Sequence, residues 1–468
     1  MQRAFPHDTI MTLSSLPRQL PRLIWMALFV ACSLFLFRPA SATEPREFVL
    51  TNGMKVLLSE VPKAPVATVQ VWYKVGSRNE LMGRAGLSHM LEHMMFKGTA
   101  KYPTGSFSRL IRKNGGMDNA FTDQDFTAYF ENLAADRVEL ALELEADRMQ
   151  GLLFDMNEFK TEREVVKEER RLRIEDNPQV TLVEALFAQA FLSHPYHWPV
   201  IGWFGDLDAM TLDDLQRHYD TYYSPNNATL IVMGDIKADT LLPTITHLFE
   251  PIPRGPEPKP LTAMEPDQKG ERRFVLKRET QVPFVMIGYR VPNYMSEDSY
   301  ALDVLESILQ RGKSSRLYQS LVYEQKSALA VGAEYSLMQT DPSLFYFYAL
   351  VSPGQKVEAV EEALNKEIKR LQSEPPSDLE LQRAKNQVEA ARTFEQDSNF
   401  FHAMLLGRAE SVGAGWRKVD QFLERIRSVT AKDVQRVARQ YLIDDNRTVG
   451  SLIPVASKPP DAPAAATH

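Results

Sequence analysis

Residues 86–98 read Gly86-Leu87-Ser88-His89-Met90-Leu91-Glu92-His93-Met94-Met95-Phe96-Lys97-Gly98. Leu87, Met90, Leu91, Met94 and Met95 recur at helical spacing, and Gly98 can end the helix. His89 and His93 are four residues apart, so both imidazoles project from one helix face about one turn apart. That separation suits two nitrogen ligands of a tetrahedral Zn²⁺. Glu92 stands three residues after His89, beside the same face. It can reach a water near the metal without being a ligand. With nine histidines in 468 residues, this spacing is informative rather than incidental.

Two histidines leave a zinc site one protein ligand short. Residues 155–173 (DMNEFKTEREVVKEERRLR) form a helical, glutamate-rich stretch in which Glu162 and Glu169 lie seven residues apart on one face. A carboxylate from it would complete a His₂Glu set and leave the fourth position open, as in catalytic rather than structural zinc sites. Spacing alone does not choose among Glu162, Glu164, Glu168 and Glu169.

The chain reads as two halves that repeat the same elements. Phe48-Val49-Leu50 opens the first and Phe274-Val275-Leu276 the second. Alternating, β-branched strands are expected over 67–75 and 282–291, and aromatic strands over 126–133 and 344–351. Leu91-Glu92-His93 aligns with Leu305-Glu306-Ser307 at an offset of 214, and Glu162-Arg163 with Gln382-Arg383 at 220. Hairpin-like strand pairs outnumber βαβ units. The expected class is therefore α+β, with two similar domains, each a mostly antiparallel sheet with helices packed on one face. The expected boundaries are a signal peptide over 1–42, a catalytic domain over 43–250 and a Pro-rich linker over 251–270. A second domain over 271–456 and a disordered tail over 457–468 follow. The second domain has Asp303, Glu306 and Ser307 where the first has His89, Glu92 and His93, and Gln382 in place of Glu162, although Glu389 remains. One carboxylate and no histidine will not hold catalytic zinc, so this domain is expected to be a wall of the substrate chamber. His194 and His197 sit in a Pro-rich loop with Trp198 and read as loop packing.

His89-Met90-Leu91-Glu92-His93 is the inverted zincin motif H-x-x-E-H. With Phe96-Lys97-Gly98-Thr99, Glu162-Arg163 and Glu169, the chain resembles the pitrilysin/insulinase family of zinc peptidases, among them mitochondrial processing peptidase and its two-domain bacterial relatives. The stretches Gly115-Gly116-Met117-Asp118-Asn119-Ala120-Phe121-Thr122, His194-Pro195-Tyr196, Pro199-Val200-Ile201-Gly202, Tyr222-Tyr223-Ser224-Pro225-Asn226-Asn227-Ala228 and Gly312-Lys313-Ser314-Ser315-Arg316-Leu317-Tyr318 extend the likeness over roughly residues 45–455. The resemblance implies that His89, His93 and Glu169 bind zinc, one per chain. It makes Glu92 the general base and Glu162 a supporting acid that orients His89 or His93. Residues 117–122 are expected to be an edge strand near the metal, where Asn119, Ala120, Phe121 and Thr122 would hold an extended peptide through main-chain hydrogen bonds; the alternative is a purely structural strand after the Gly115-Gly116 turn.

Three arginines, Arg3, Arg18 and Arg22, precede an apolar run over 23–37, and Ala40-Ser41-Ala42 follows. That is the order of a secretory signal, with Thr43 as the expected mature N-terminus. The run is short of the ~20 residues that span a bilayer comfortably. The expected location is the periplasm of a Gram-negative type bacterium, with an inner-membrane anchor as the alternative if the signal stays uncleaved. The single cysteine, Cys32, lies within the run, so the exported chain would hold no thiol, which suits an oxidising compartment. A net charge of −7 argues against nucleic-acid binding, which needs a basic face. The expected function is zinc-dependent endopeptidase action on peptides or unfolded segments; the alternative is a non-catalytic assembly or binding subunit of the same fold. By resemblance, a chain of this length pairs with a similar second chain into a clamshell. In the family an Arg and a Tyr grip the substrate near the scissile bond, and the matching stretch 343–356 has neither at the expected places. A heteromer is therefore expected over a homodimer.

Overall fold

The computed structural model describes residues 44–455. The apolar run, Cys32, the Ala40–Ala42 site and the tail over 457–468 lie outside the described residues.

Eleven strands are described: β1 (Arg46–Val49), β2 (Lys55–Glu60), β3 (Val66–Tyr73), β4 (Met117–Thr122), β5 (Thr127–Ala134), β6 (Ala228–Gly234), β7 (Arg272–Glu279), β8 (Phe284–Val291), β9 (Ala328–Tyr335), β10 (Ser343–Val351) and β11 (Arg447–Val455). They form two sheets, ordered β1-β2-β6-β3-β5-β4 and β7-β11-β8-β10-β9. With β1 set aside, the orders superpose strand for strand. Each sheet has one parallel pair, β2 with β6 and β7 with β11, and its other pairs are antiparallel. The repeat expected from short matching tripeptides is thus a repeat of topology, and the fold is α+β with two mostly antiparallel sheets.

Strand alternation explains how each sheet is covered. On β3, Ala67, Val69, Val71 and Tyr73 point into the first half's core, where they meet Leu87, Met90, Leu91 and Met94. Thr68, Gln70 and Trp72 point the other way, and they too are buried. What covers them is the helix Asn399–Ser411, lent by the second half. Gln70 Nε2 donates to the Phe400 carbonyl at 3.2 Å. Reciprocally, the helix Pro178–Ala190 lies on the second sheet, where Leu182 and Leu186 pack with Phe284, Met286 and Leu452. Each half keeps its own helices on one sheet face and receives one helix from the other half on the opposite face. The halves are cross-braced.

The brace has a tight point. A Cβ at Gly407 would sit 2.1 Å from Trp72 Cε2. Gly407→Ala is expected to destabilise the chain by about 1–3 kcal/mol through overpacking, read as a lowered denaturant midpoint; an unchanged midpoint would show that the helix can slide away freely.

A polar seam also joins the halves. Arg78 pairs with Asp125 at 3.3 Å and with Asp341. Tyr196 donates to Asp125 at 2.8 Å, and the Thr340 N–H donates to Asp125 at 3.0 Å. His197 packs edge-on against Trp198 at 4.8 Å between ring centroids. His194 does more than fill the loop: its Nε2 lies 3.0 Å from Asp341 Oδ2, so it belongs to the seam. Residues 251–270 contain no helix or strand, yet Glu265 fastens them by accepting from the N–H groups of Leu192, Ser193 and His194 at 2.9, 2.8 and 3.0 Å.

Candidate metal centre

The histidines stand on the helix Leu87–Met94. Gly86 precedes it at φ 91°, and a Cβ there would lie 2.6 Å from the Ile201 carbonyl oxygen. Only glycine allows both the left-handed backbone and this close approach of two chain segments. Glu80 accepts from the backbone N–H groups of Gly86 and Ser88 at 2.7 and 2.6 Å, satisfying donors that a helix start leaves free, although burial pushes its carboxyl up to about 8. Leu87, Met90, Leu91 and Met94 bury the other side of the helix, which leaves His89 and His93 facing out of the core with ring centroids 4.7 Å apart.

The helix Met156–Arg170 supplies the carboxylates. Asp155 caps its start by accepting from the Asn157 and Glu158 N–H groups. At its other end Arg170 donates to the Gly202 carbonyl at 2.8 Å and pairs with Glu184 at 2.9 Å. The segment 201–202 therefore contacts the start of one helix and the end of the other, which sets their spacing. Glu162 Oε1 lies 2.9 Å from His93 Nδ1. Glu169 Oε2 lies 3.2 Å from His93 Nε2 and 3.8 Å from His89 Nε2. Glu164 and Glu168 are exposed and pair with Lys167 and Arg171.

One ligand atom from each of His89, His93 and Glu169 lies within 4.8 Å of the others, and no other such group occurs among the described residues. Two atoms each ~2.0–2.1 Å from a tetrahedral Zn²⁺ stand about 3.4 Å apart. The separations of 3.2 and 3.8 Å straddle that value. Two imidazole nitrogens and one carboxylate oxygen also form the donor set of a catalytic zinc. The residues fit the metal. In the second half, by contrast, the Ser307 hydroxyl donates to the Ala384 carbonyl, Glu306 pairs with Arg311, and Glu389 turns to Arg427.

The charges follow from burial and partners. Burial lowers the His89 pKa to about 4. Burial also lowers that of His93, but its hydrogen bonds to Glu162 and Glu169 outweigh this and raise it to about 9. A divalent cation between these groups would take the place of that proton. The His93 hydrogen bond holds Glu169 below the usual carboxylate range. Burial raises the Glu162 carboxyl, and the hydrogen bonds from His93 and Lys97 more than reverse it. Glu92 stands apart from the three. Burial raises its pKa, partly offset by the Thr122 hydroxyl, which donates to Glu92 Oε2 at 2.6 Å.

These groups line a cavity of about 680 Å³ together with Asn119, Ala120, Phe121 and Thr122. Among the described residues β4, which carries those four, pairs with β5 alone, so its other edge is open to a peptide. Two side chains escaped the sequence reading. Arg173 Nη1 lies 3.0 Å from Glu169 Oε1, a pair whose four-residue spacing was a usable signal. Lys97 pairs with Glu162 across 65 positions, for which no local signal exists.

Comparison with known proteins places these features. Residues 55–202 match the profile "Insulinase (Peptidase family M16)", and residues 209–388 match "Peptidase M16 inactive domain". The zinc protease PqqE of Helicobacter pylori is 33% identical over 412 residues, 86% of this chain and 92% of that protein. The probable mitochondrial-processing peptidase subunit beta of Arabidopsis thaliana is 27% identical over 432 residues, 90% and 80% of the two chains. Among solved structures, a protease from Helicobacter pylori superposes with a TM-score of 0.84 at 32% identity, covering 88% of this chain and all of that one. The periplasmic protease PqqL from Escherichia coli shares the fold at a TM-score of 0.72 and 18% identity; this chain spans 49% of it. A repeated α+β fold, an H-x-x-E-H helix facing a carboxylate helix, and relatives of nearly full length named as zinc proteases lead to one conclusion: the chain belongs to the M16 peptidase family, the insulinase/pitrilysin-like zinc proteases.

Proposed function

We propose that this chain is a zinc-dependent endopeptidase that cuts peptides or unfolded protein segments. The observation that carries the reading is the convergence of His89, His93 and Glu169, within 4.8 Å of one another, beside a Glu92 that is not part of the set. His89, His93 and Glu169 would hold the ion. When bound, zinc supplies Lewis acidity toward the scissile carbonyl and the attacking water. The remaining steps belong to the protein. Thr122 fixes one oxygen of Glu92, leaving the other to take the water's proton and deliver it to the leaving amine. Glu162, on His93 Nδ1, holds the ring so that Nε2 faces Glu169. The free edge of β4 receives the peptide main chain through Asn119–Thr122, a mode indifferent to side chains and suited to unfolded segments.

The proposal extends to place and partner. The basic, apolar and small-residue order of residues 1–42 supports export to the periplasm, and the fold neighbour PqqL is a periplasmic protease. Among the described residues no helix is long and apolar enough to cross a membrane. PqqL is about twice the length of this chain, and its first half alone matches 88% of this chain. That supports a clamshell in which a second, similar chain supplies the other half. A different chain is favoured because the stretch 343–356 has no Arg on its strand and no Tyr after Pro353, the places where the family carries the clamp.

The test is digestion of an unfolded protein by the purified chain, alone and mixed with candidate partner chains, with zinc content and solution mass measured in parallel. The expected result is one zinc per chain and cleavage that rises when the partner is added. Full cleavage at a monomer mass would remove the partner; a zinc-free chain without cleavage under any pairing would remove the enzyme reading.

A further inference from the structure

We propose that a second cavity, at the far end of β4 from Glu92, is a subsite for an apolar side chain of the same extended peptide, about five residues from the bond that is cut. The inference rests on the peptidase reading and deepens it.

β4 links the two cavities. Its residues Asp118–Thr122 line the one that holds His89 and His93, and Gly115, Gly116 and Met117 line the other, of about 730 Å³. Val66, Leu133 and Phe400 supply apolar wall. Met117 is 56% exposed and Val66 47%, so this end of the sheet shows water an apolar surface that a side chain could cover. The charged groups lining it, Lys63 and Asp397, pair with each other at 3.5 Å. The cavity therefore has little charge to spare for a charged occupant, and an aliphatic or aromatic side chain suits it.

The register follows from strand geometry. Met117 and Thr122 are five positions apart, about 17 Å at ~3.4 Å per residue. Five is odd, so the two side chains leave β4 on opposite faces. Thr122 reaches Glu92 on the histidine side. Phe121, of Met117's parity, packs edge-on against Trp72 at 5.5 Å, on the face covered by the helix Asn399–Ser411. That helix also brings Phe400 into the second cavity, where its ring lies 4.7 Å from that of Phe130. A peptide added to β4 keeps the same alternation. The residue that passes Met117 thus turns its side chain toward Phe400, while the residue beside Thr122 faces the histidines. Main-chain pairing alone selects no sequence; a pocket five residues away selects one position and leaves the cut site unrestricted.

The test uses a peptide that the chain cuts at one bond. Variants carry Leu or Ser five positions before that bond, and a second set carries them five positions after it, because pairing fixes one direction. Affinity is read twice, as KM for cleavage and by fluorescence anisotropy on the Glu92→Gln chain. The expected result is a Leu preference of roughly 10-fold in one of the two sets, lost when Leu is moved by one position and reduced to about one by Met117→Lys. The proposal falls if Leu and Ser bind alike in both sets, or if Met117→Lys leaves the preference intact. It also falls if that variant changes the mass of the chain in solution without touching the preference, since the cavity would then be a contact between copies. Absence of cleavage would count against the peptidase reading; a single Leu walked along an otherwise polar peptide, read by anisotropy, would then decide the subsite, which stands if one Leu position tightens binding and Met117→Lys cancels the gain, and falls if every position binds alike.

Discussion

Glu92→Gln is expected to lower peptide turnover by roughly 10²–10⁴-fold while the chain keeps its zinc. The amide fills the same space and can still accept the Thr122 hydroxyl, so the local geometry has no reason to shift. What it loses is the ability to take a proton. Burial already holds the Glu92 carboxyl above its ordinary range, which makes its anion a stronger base than a surface glutamate. Glu92 lies outside the group formed by His89, His93 and Glu169, so its charge is not needed to keep the ion. The measurement is kcat on a defined peptide together with zinc content for wild type and variant. Near-wild-type turnover would move the base elsewhere. Loss of zinc would instead make Glu92 part of the metal set.

What the sequence made legible depended on distance along the chain. His89 and His93 could be paired by eye because helical periodicity acts over four residues, and the apolar positions around them fix which face is buried. Glu169 was only one of four glutamates on a charged helix until the resemblance singled it out. In the structure the choice is physical: Glu169 faces both Nε2 atoms, whereas Glu164 and Glu168 face water and basic neighbours. The Lys97–Glu162 pair and the Tyr196–Asp125–Thr340 seam had no signal, since nothing local records a contact between distant segments. The sheets were legible as alternating runs, and the repeat as matching tripeptides. The crossed helices were not. The pattern of β3 shows that Gln70 and Trp72 alternate away from the core, but it cannot say that Asn399–Ser411 would cover them. Amphipathic pattern reports that a face must be buried, never by whom.

The second large effect concerns the three residues proposed to hold the zinc. His89→Ala, His93→Ala and Glu169→Gln are each expected to lower zinc affinity by more than the roughly 10–100-fold that loss of an orienting partner costs, and to abolish cleavage with it. The reasoning is geometric. Removing any one leaves two donors, and zinc held by two protein atoms competes poorly with buffer and water. Glu162→Gln probes the orienting role: the amide can keep a hydrogen bond to His93 Nδ1 but loses the charge that raises its basicity, so a 10–100-fold loss is expected and the metal should return at higher zinc concentration. Glu164→Gln is the control on the same helix. It removes a carboxylate of equal charge that is exposed and pairs with Lys167, so affinity and turnover should stay within experimental error of wild type. Zinc titration of each variant, with turnover measured at saturating zinc, separates the three behaviours. The order matters more than any one value, because a general loss of negative charge on Met156–Arg170 would make Glu164→Gln resemble Glu169→Gln. If Glu164→Gln loses the metal and Glu169→Gln keeps it, the third ligand has been assigned to the wrong turn of the helix.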